Sequence, residues 1–238
     1  MTDIKRVILE NRGERVELLS RTPESTSDLQ EIKDLIRSEY QRRGYIPQDI
    51  VSFEDQYDET SVYFGTYANG DLLAAARIID SEELPTGSVY YEFPLPKPLE
   101  VCSKEQLREV SRLTAIVEPG RNPLPKHVVS STMISSLIDF GFKENHCGGI
   151  STIKVWFLRL FQRLNLPALH EIPNAELIYP RDAVLSDFFY DENNPAVPVY
   201  YLHDEAKAIF DGVFHNIFRI DKTLLDEPLR LVSHEVLL

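Results

Sequence analysis

The tetrad Ala68-Asn69-Gly70-Asp71, set between the β-rich runs 62–67 and 72–79, constrains this chain more than any other feature. Asn-Gly supplies two consecutive residues that tolerate positive φ, which a two-residue type I′ hairpin requires. A lone hairpin is marginal in water, so these two strands must find further strands or a helix to cover them.

The rest of the chain offers both. Leu29, Ile32, Leu35, Ile36 and Tyr40 keep helical spacing, with Ser27 or Asp28 as N-cap, an end near Arg43 and Gly44 as the stop. A short strand is expected at 16–19, and residues 1–14 read as a polar, loosely ordered lead apart from Val7-Ile8-Leu9. The acidic loop Phe53-Glu54-Asp55-Gln56-Tyr57-Asp58-Glu59 precedes the hairpin, and residues 80–105, with prolines at 85, 94, 96 and 98, read as a long loop of the functional kind. A strand follows at 107–117, stopped by Glu118-Pro119-Gly120, then a helix from Pro125 to Phe140. A strand at 148–155 and an amphipathic helix at 156–164 come next. Residues 167–198 are proline-rich, with a strand at 176–179, and the chain closes with a strand at 199–202 and a helix at 204–218. Strands and helices in this order predict one mixed α/β sheet flanked by helices, in a single domain with a C-terminal elaboration over about 167–238.

Charge narrows the function. With 25 basic and 38 acidic residues the net charge is −13, which excludes nucleic-acid binding by bulk electrostatics. Two cysteines, Cys102 and Cys147, make a disulfide framework unexpected and cannot form a Cys-only zinc site, and six scattered histidines show no metal-ligand spacing. No run approaches the ~20 apolar residues of a membrane span, and no leader is apparent, so the expected compartment is the cytoplasm.

The chemistry-bearing residues are scattered charges. Arg77 closes an apolar strand, where an unpaired guanidinium would be costly, so it must reach a cleft or a carboxylate. Asp55 and Asp58 precede the hairpin, and Glu109 and Arg112 share the run Glu109-Val110-Ser111-Arg112. Residues three apart on a regular strand point to opposite faces, so a bulge or twist is expected near Val110-Ser111. A Cys/His nucleophile from His127, His146 and Cys147 has no partner arrangement behind it. Phe157, Phe161, Phe188, Phe189, Tyr200 and Tyr201 read as core, some of them able to line an apolar tunnel.

Taken in order, Arg37, Asp55-x-x-Asp58, Arg77, Phe93 and Glu109-x-x-Arg112 resemble the autoinducer (acyl-homoserine lactone) synthases and their relatives, the N-acyl amino acid synthases and exosortase-associated acyltransferases, over roughly residues 30–165. The resemblance implies a GNAT-like fold and transfer of a medium or long acyl chain from acyl carrier protein, or acyl-CoA, to an amine. It implies no tightly bound cofactor and no metal; the acyl-phosphopantetheine donor is a substrate. On this reading Glu109 is the base, with Arg77 and Arg112 organising it, and Arg37, Asp55, Asp58 and Phe93 bind substrate, the aspartates receiving the ammonium. Lys154, Arg159 and Arg163 become candidates for docking an acidic carrier protein. The sequence departs from the family at Tyr40 and Tyr45, which stand for the aromatics expected after Arg37, and at Arg77-Ile78-Ile79-Asp80. Segment 117–125 lacks the Gln/Arg-x-x-Gly-x-Gly/Ala spacing that cradles a CoA pyrophosphate, which favours a carrier-protein donor. Two further readings are a lactone synthase using S-adenosylmethionine and a non-catalytic GNAT-fold binding protein that keeps Glu109 and Arg112 as a structural pair.

Overall fold

The computed structural model describes residues 3–11, 14–116, 124, 126–163, 166–217 and 230–237. The hairpin forms as its turn residues require. β3 (Ser61–Ala68) and β4 (Asp71–Ile79) pair antiparallel across Asn69 and Gly70, whose φ angles are +52° and +98°. Both strands are buried for most of their length, with the helices Thr26–Arg42 and Lys126–Lys143 packed against them.

The N-terminal residues correct the sequence reading. Asp3–Asn11 is a full strand (β1) that pairs with β2 (Glu14–Arg21), and Ile4, Val7 and Leu9 are wholly buried. The polar composition concealed it because one face carries the apolar residues and the other is solvated. A strand near the C-terminus, β11 (Arg230–Val236), was also not foreseen; it pairs antiparallel with β1.

Helix α1 (Thr26–Arg42) starts two or three residues before the expected position. Ser25 caps it by accepting from the Asp28 N–H at 3.1 Å, and Gly44 leaves it at φ +69°. The remaining elements are β5 (Tyr91–Glu92), β6 (Leu107–Ala115), α2 (Lys126–Lys143), β7 (Gly148–Lys154), α3 (Val155–Arg163), β8 (His170–Glu171), β9 (Glu176–Leu177), α4 (Ser186–Phe189), β10 (Ala196–Leu202) and α5 (His203–Ile217). Segment 117–125, apart from Leu124, and the side chain of His127 lie outside the described residues, as does the Phe218 end of the last expected helix.

Among the described residues nine strands form one sheet in the order β11-β1-β2-β3-β4-β6-β7-β10-β8, and β5 pairs with β9 apart from it. Among the described residues every strand pairing is antiparallel except β6 with β7. The main core lies between this sheet and α1 and α2, around Phe64, Leu73, Ile36, Val129 and Met133. Lys5, on β1, is only 2% exposed and donates to Ser135 and Asp139 of α2, fixing the first strand under that helix.

Cys102 and Cys147 are joined in a disulfide, with Cα atoms 5.6 Å apart, against the sequence expectation. Forty-five residues separate them, and spacing alone carried no sign that the turn before β6 and the entry to β7 meet. The bond also leaves no thiol for a Cys/His nucleophile.

Candidate active site

Parallel β6 and β7 stay in register only for Leu107↔Gly148, Arg108↔Gly149 and Glu109↔Ile150. Beyond that, β6 remains paired to β4 and β7 to β10, so the two strands diverge. Gly149 makes the close approach possible: a Cβ there would meet the Arg108 carbonyl oxygen at 2.1 Å.

The fork holds a cavity of about 160 Å³. Residues 110–115 and 151–154 form its strand walls, and α2, α3 and α5 close it. One region is apolar, lined by Ile134, Leu137, Ile138, Phe161, Ala206 and Phe210. Elsewhere Arg43, Arg112 and Lys154 enter the wall with Tyr40, Tyr45 and Phe188, and none of the described residues that line the cavity is Asp or Glu. Of the aromatics singled out in the sequence, Phe157, Phe161, Phe188 and Tyr201 face the cavity, whereas Phe189 packs in the aromatic cluster with Tyr91 and Tyr200 packs against the cluster around Leu99.

The expected bulge is present, one residue on from its expected place. Between Ala75↔Thr114 and Arg77↔Ser111, two steps along β4 face three along β6, and Arg112 takes φ +57°. That conformation costs a non-glycine residue about 1–2 kcal/mol. It sends the Arg112 guanidinium to Asp55 at 2.8 Å, with its plane over the Phe53 ring at 4.2 Å. Arg77, 1% exposed, grips the same Asp55 with both terminal nitrogens at 2.6 and 2.9 Å, reaches Asp58 at 3.3 Å and donates from Nε to Ser111 Oγ at 3.1 Å. The buried arginine thus finds its carboxylates, as desolvation requires. Burial would raise the Asp58 carboxyl, but hydrogen bonds from Tyr63, the Asp55 N–H and Lys33 outweigh it and hold it at about 2. With these partners the two aspartates are engaged by arginines and lysine, and Asp55 keeps 28% of its side chain exposed.

Glu109 sits beside this network, 1% exposed. Its Oε2 accepts from the Thr86 N–H and its Oε1 from Thr86 Oγ1, both at 2.9 Å. Burial dominates its titration and pushes it up to about 8; the Thr86 bonds and the Arg77 charge only partly oppose that, and Asp55 adds to it. Thr86 opens a π-helical turn (Thr86–Tyr90) in the proline-bearing loop and was invisible in the sequence, because neither composition nor spacing distinguishes it. Its hydroxyl also lies 2.8 Å from Oγ1 of Thr152, and Thr152 is a residue of the cavity wall, as Glu109 is not.

The fold therefore gathers Asp55, Asp58, Arg77, Glu109 and Arg112. It leaves Arg37 outside, bound to Asp34 at 2.8 Å and to the Val51 carbonyl. Phe93 packs in the apolar clusters beside Gly87 rather than in the cavity wall. Lys154 is not a surface group: it is 5% exposed, donates to the Phe188 and Asn194 carbonyls at 2.6 and 2.8 Å, and burial lowers its basicity. Arg159 and Arg163 are exposed on α3 as expected, with Trp156 exposed a turn earlier.

A mixed sheet that forks at a parallel pair, with a cavity in the fork, is the GNAT-like arrangement expected from the sequence. Solved acyl-homoserine lactone synthases share this fold. The AHL synthase LasI superposes with a TM-score of 0.57 at 14% identity, covering 83% of this chain and 94% of that one. TofI, in a ternary complex with an inhibitor and MTA, gives 0.53 at 15%, covering 82% and 96%. FeeM, an N-acyl amino acid synthase from uncultured soil microbes, gives 0.50 at 11%, covering 80% and 93%. No protein-family model and no curated protein matches the sequence.

Proposed function

We propose that this chain is an N-acyltransferase that moves a medium or long acyl chain from acyl carrier protein, or acyl-CoA, to the amine of an amino acid or similar small amine. The observation that carries the reading is the cavity in the β6/β7 fork, apolar on one side, with the buried Glu109 one hydroxyl pair from its wall. An acyl chain would fill the apolar side and the thioester carbonyl would lie where β6 has lost its β7 partner. The neutral amine attacks the carbonyl carbon, the carbon–sulfur bond breaks, and the sulfur leaves as the thiolate, which takes up the proton that Glu109 has received from the amine. The proton lost by the amine goes to Glu109, whose raised affinity for protons suits a base working near neutral pH. Backbone N–H groups on the freed β6 edge would face the developing oxyanion.

The lactone-synthase reading is supported by fold likeness; one neighbour, BjaI, was solved with SAM and isopentyl-CoA. No helix among the described residues is long and apolar enough to cross a membrane, and a cytoplasmic location follows from the acyl donors proposed. Incubation with acyl-carrier protein or acyl-CoA and a mixed amine pool, with mass spectrometry, is the test. An N-acyl amino acid is expected; a lactone product would favour the synthase reading, and no acylated product with any donor would leave only the binding-protein reading.

A further inference from the structure

Glu109 is placed as the base but does not reach the cavity. It is 1% exposed, and both its oxygens are occupied by a single residue, Thr86, which is itself wholly buried. A proton released in the cavity must therefore cross a layer of protein. The described structure offers one continuous set of hydrogen bonds across it: Thr152 Oγ1 to Thr86 Oγ1 at 2.8 Å, and Thr86 Oγ1 to Glu109 Oε1 at 2.9 Å. Thr152 is one of the residues that line the cavity, so this chain runs from a residue of the cavity wall to the carboxylate.

We propose that Thr152 and Thr86 are the path by which the amine proton reaches Glu109. This rests on the acyl-transfer reading and adds two residues to it.

The polarity of the chain follows from what each group can donate. An ionised carboxylate only accepts, so Thr86 Oγ1 gives its hydrogen to Glu109 and must accept from Thr152. Thr152 Oγ1, having donated its hydrogen to Thr86, would accept from the amine N–H. When the amine nitrogen bonds to the acyl carbon, its proton passes to Thr152 Oγ1. The Thr152 hydrogen passes to Thr86 Oγ1, and the Thr86 hydrogen passes to Glu109 Oε1. Three O–H or N–H bonds break and three O–H bonds form, both hydroxyls end neutral, and Glu109 holds one proton. Protonated Glu109 then donates to Thr86, the chain reverses, and the same path can return a proton toward the leaving sulfur. The Thr86 N–H on Oε2 keeps the carboxylate oriented throughout. Two hydroxyls that served only to satisfy burial would not need one end in the cavity wall.

The conservative pair Thr152→Val and Thr152→Ser tests the path, since valine keeps the shape and serine keeps the hydroxyl. The expected result is a drop in kcat of about 100-fold for Thr152→Val, with KM changed less than about threefold, and recovery to near wild type in Thr152→Ser. Adding Glu109→Gln to Thr152→Val should cost little more than either alone, because both cut one path. A second readout needs no turnover: the carboxyl stretch of Glu109 followed by infrared titration. Losing the Thr152 donor should move the Glu109 midpoint to higher pH, and Thr152→Ser should leave it in place. Full kcat in Thr152→Val, or an unmoved midpoint, overturns the path. If wild-type protein forms no acylated product, the acyl-transfer reading fails, and the infrared midpoints still decide whether Thr152 is coupled to Glu109.

Discussion

Glu109 is a carboxyl whose environment sets its charge. In the unfolded chain it titrates near 4.5, and in the fold near 8. Below 4.5 it is protonated in both states. Between 4.5 and 8 the folded state keeps a proton that the unfolded state has lost, so its contribution to stability is full below 4.5 and falls away as pH rises through 8. Urea unfolding should therefore show wild type losing stability from pH 5 to pH 8 by a few kcal/mol, order of magnitude, relative to Glu109→Gln, which removes the titration. Turnover should move the other way. If the ionised form is the base, kcat of wild type rises with pH through about 8, and Glu109→Gln loses on the order of 100-fold or more. A flat pH–rate profile would remove Glu109 from the chemistry.

At the scale of elements, the fork depends on two local devices. Arg112 at φ +57° gives β6 the extra residue that lets its side chain reach Asp55. Gly149 lets β7 lie against β6, and Gly149→Ala would press a methyl into the Arg108 carbonyl oxygen and Tyr201. Overpacking of this kind costs about 1–3 kcal/mol, and here it should also widen the parallel pairing next to Glu109. The expected outcome is a lower urea midpoint together with reduced turnover. The Cys102–Cys147 bond ties the same region together from outside, at the start of β6 and β7. Replacing both cysteines by serine should lower stability by about 2–4 kcal/mol through the entropy returned to the unfolded chain. Equal urea midpoints for the variant and the oxidised wild type would show that the bond adds nothing.

The whole molecule carries a net charge of −13, which opposes approach of another acidic protein. The proposed docking of acyl carrier protein would then need a local basic surface, and α3 presents Arg159 and Arg163 one turn apart, both exposed, near exposed Trp156. Arg159→Glu with Arg163→Glu should raise KM for an acyl-carrier-protein donor by about tenfold, more at low salt than at high. The KM for acyl-CoA should change little, because a small donor does not need that face. Equal effects on both donors would place the arginines in the fold rather than in docking.

Several features were legible from residues alone. Asn69-Gly70 fixed a hairpin because few residue pairs accept two positive φ angles. Helical periodicity located α1, α3 and α5 to within a few residues, and strand alternation asked for a bulge or twist near Val110-Ser111, which the fold places one residue on, at Arg112. Arg77 inside an apolar strand had to reach a cleft or a carboxylate, since an unpaired guanidinium there is too costly, and the fold supplies the carboxylates. Other features exist only through tertiary contact. β1 and β11 complete each other, yet neither carries a strong local signal. Thr86 lies 23 residues from Glu109 and 66 from Thr152, and a threonine in a loop looks the same in sequence whether or not it holds a carboxylate. Lys154 reads as a surface cation until the fold places carbonyls around it. Local sequence determines backbone conformation and the cost of burying a charge; which partner relieves that cost, and where a proton can travel, is decided by segments distant in the chain.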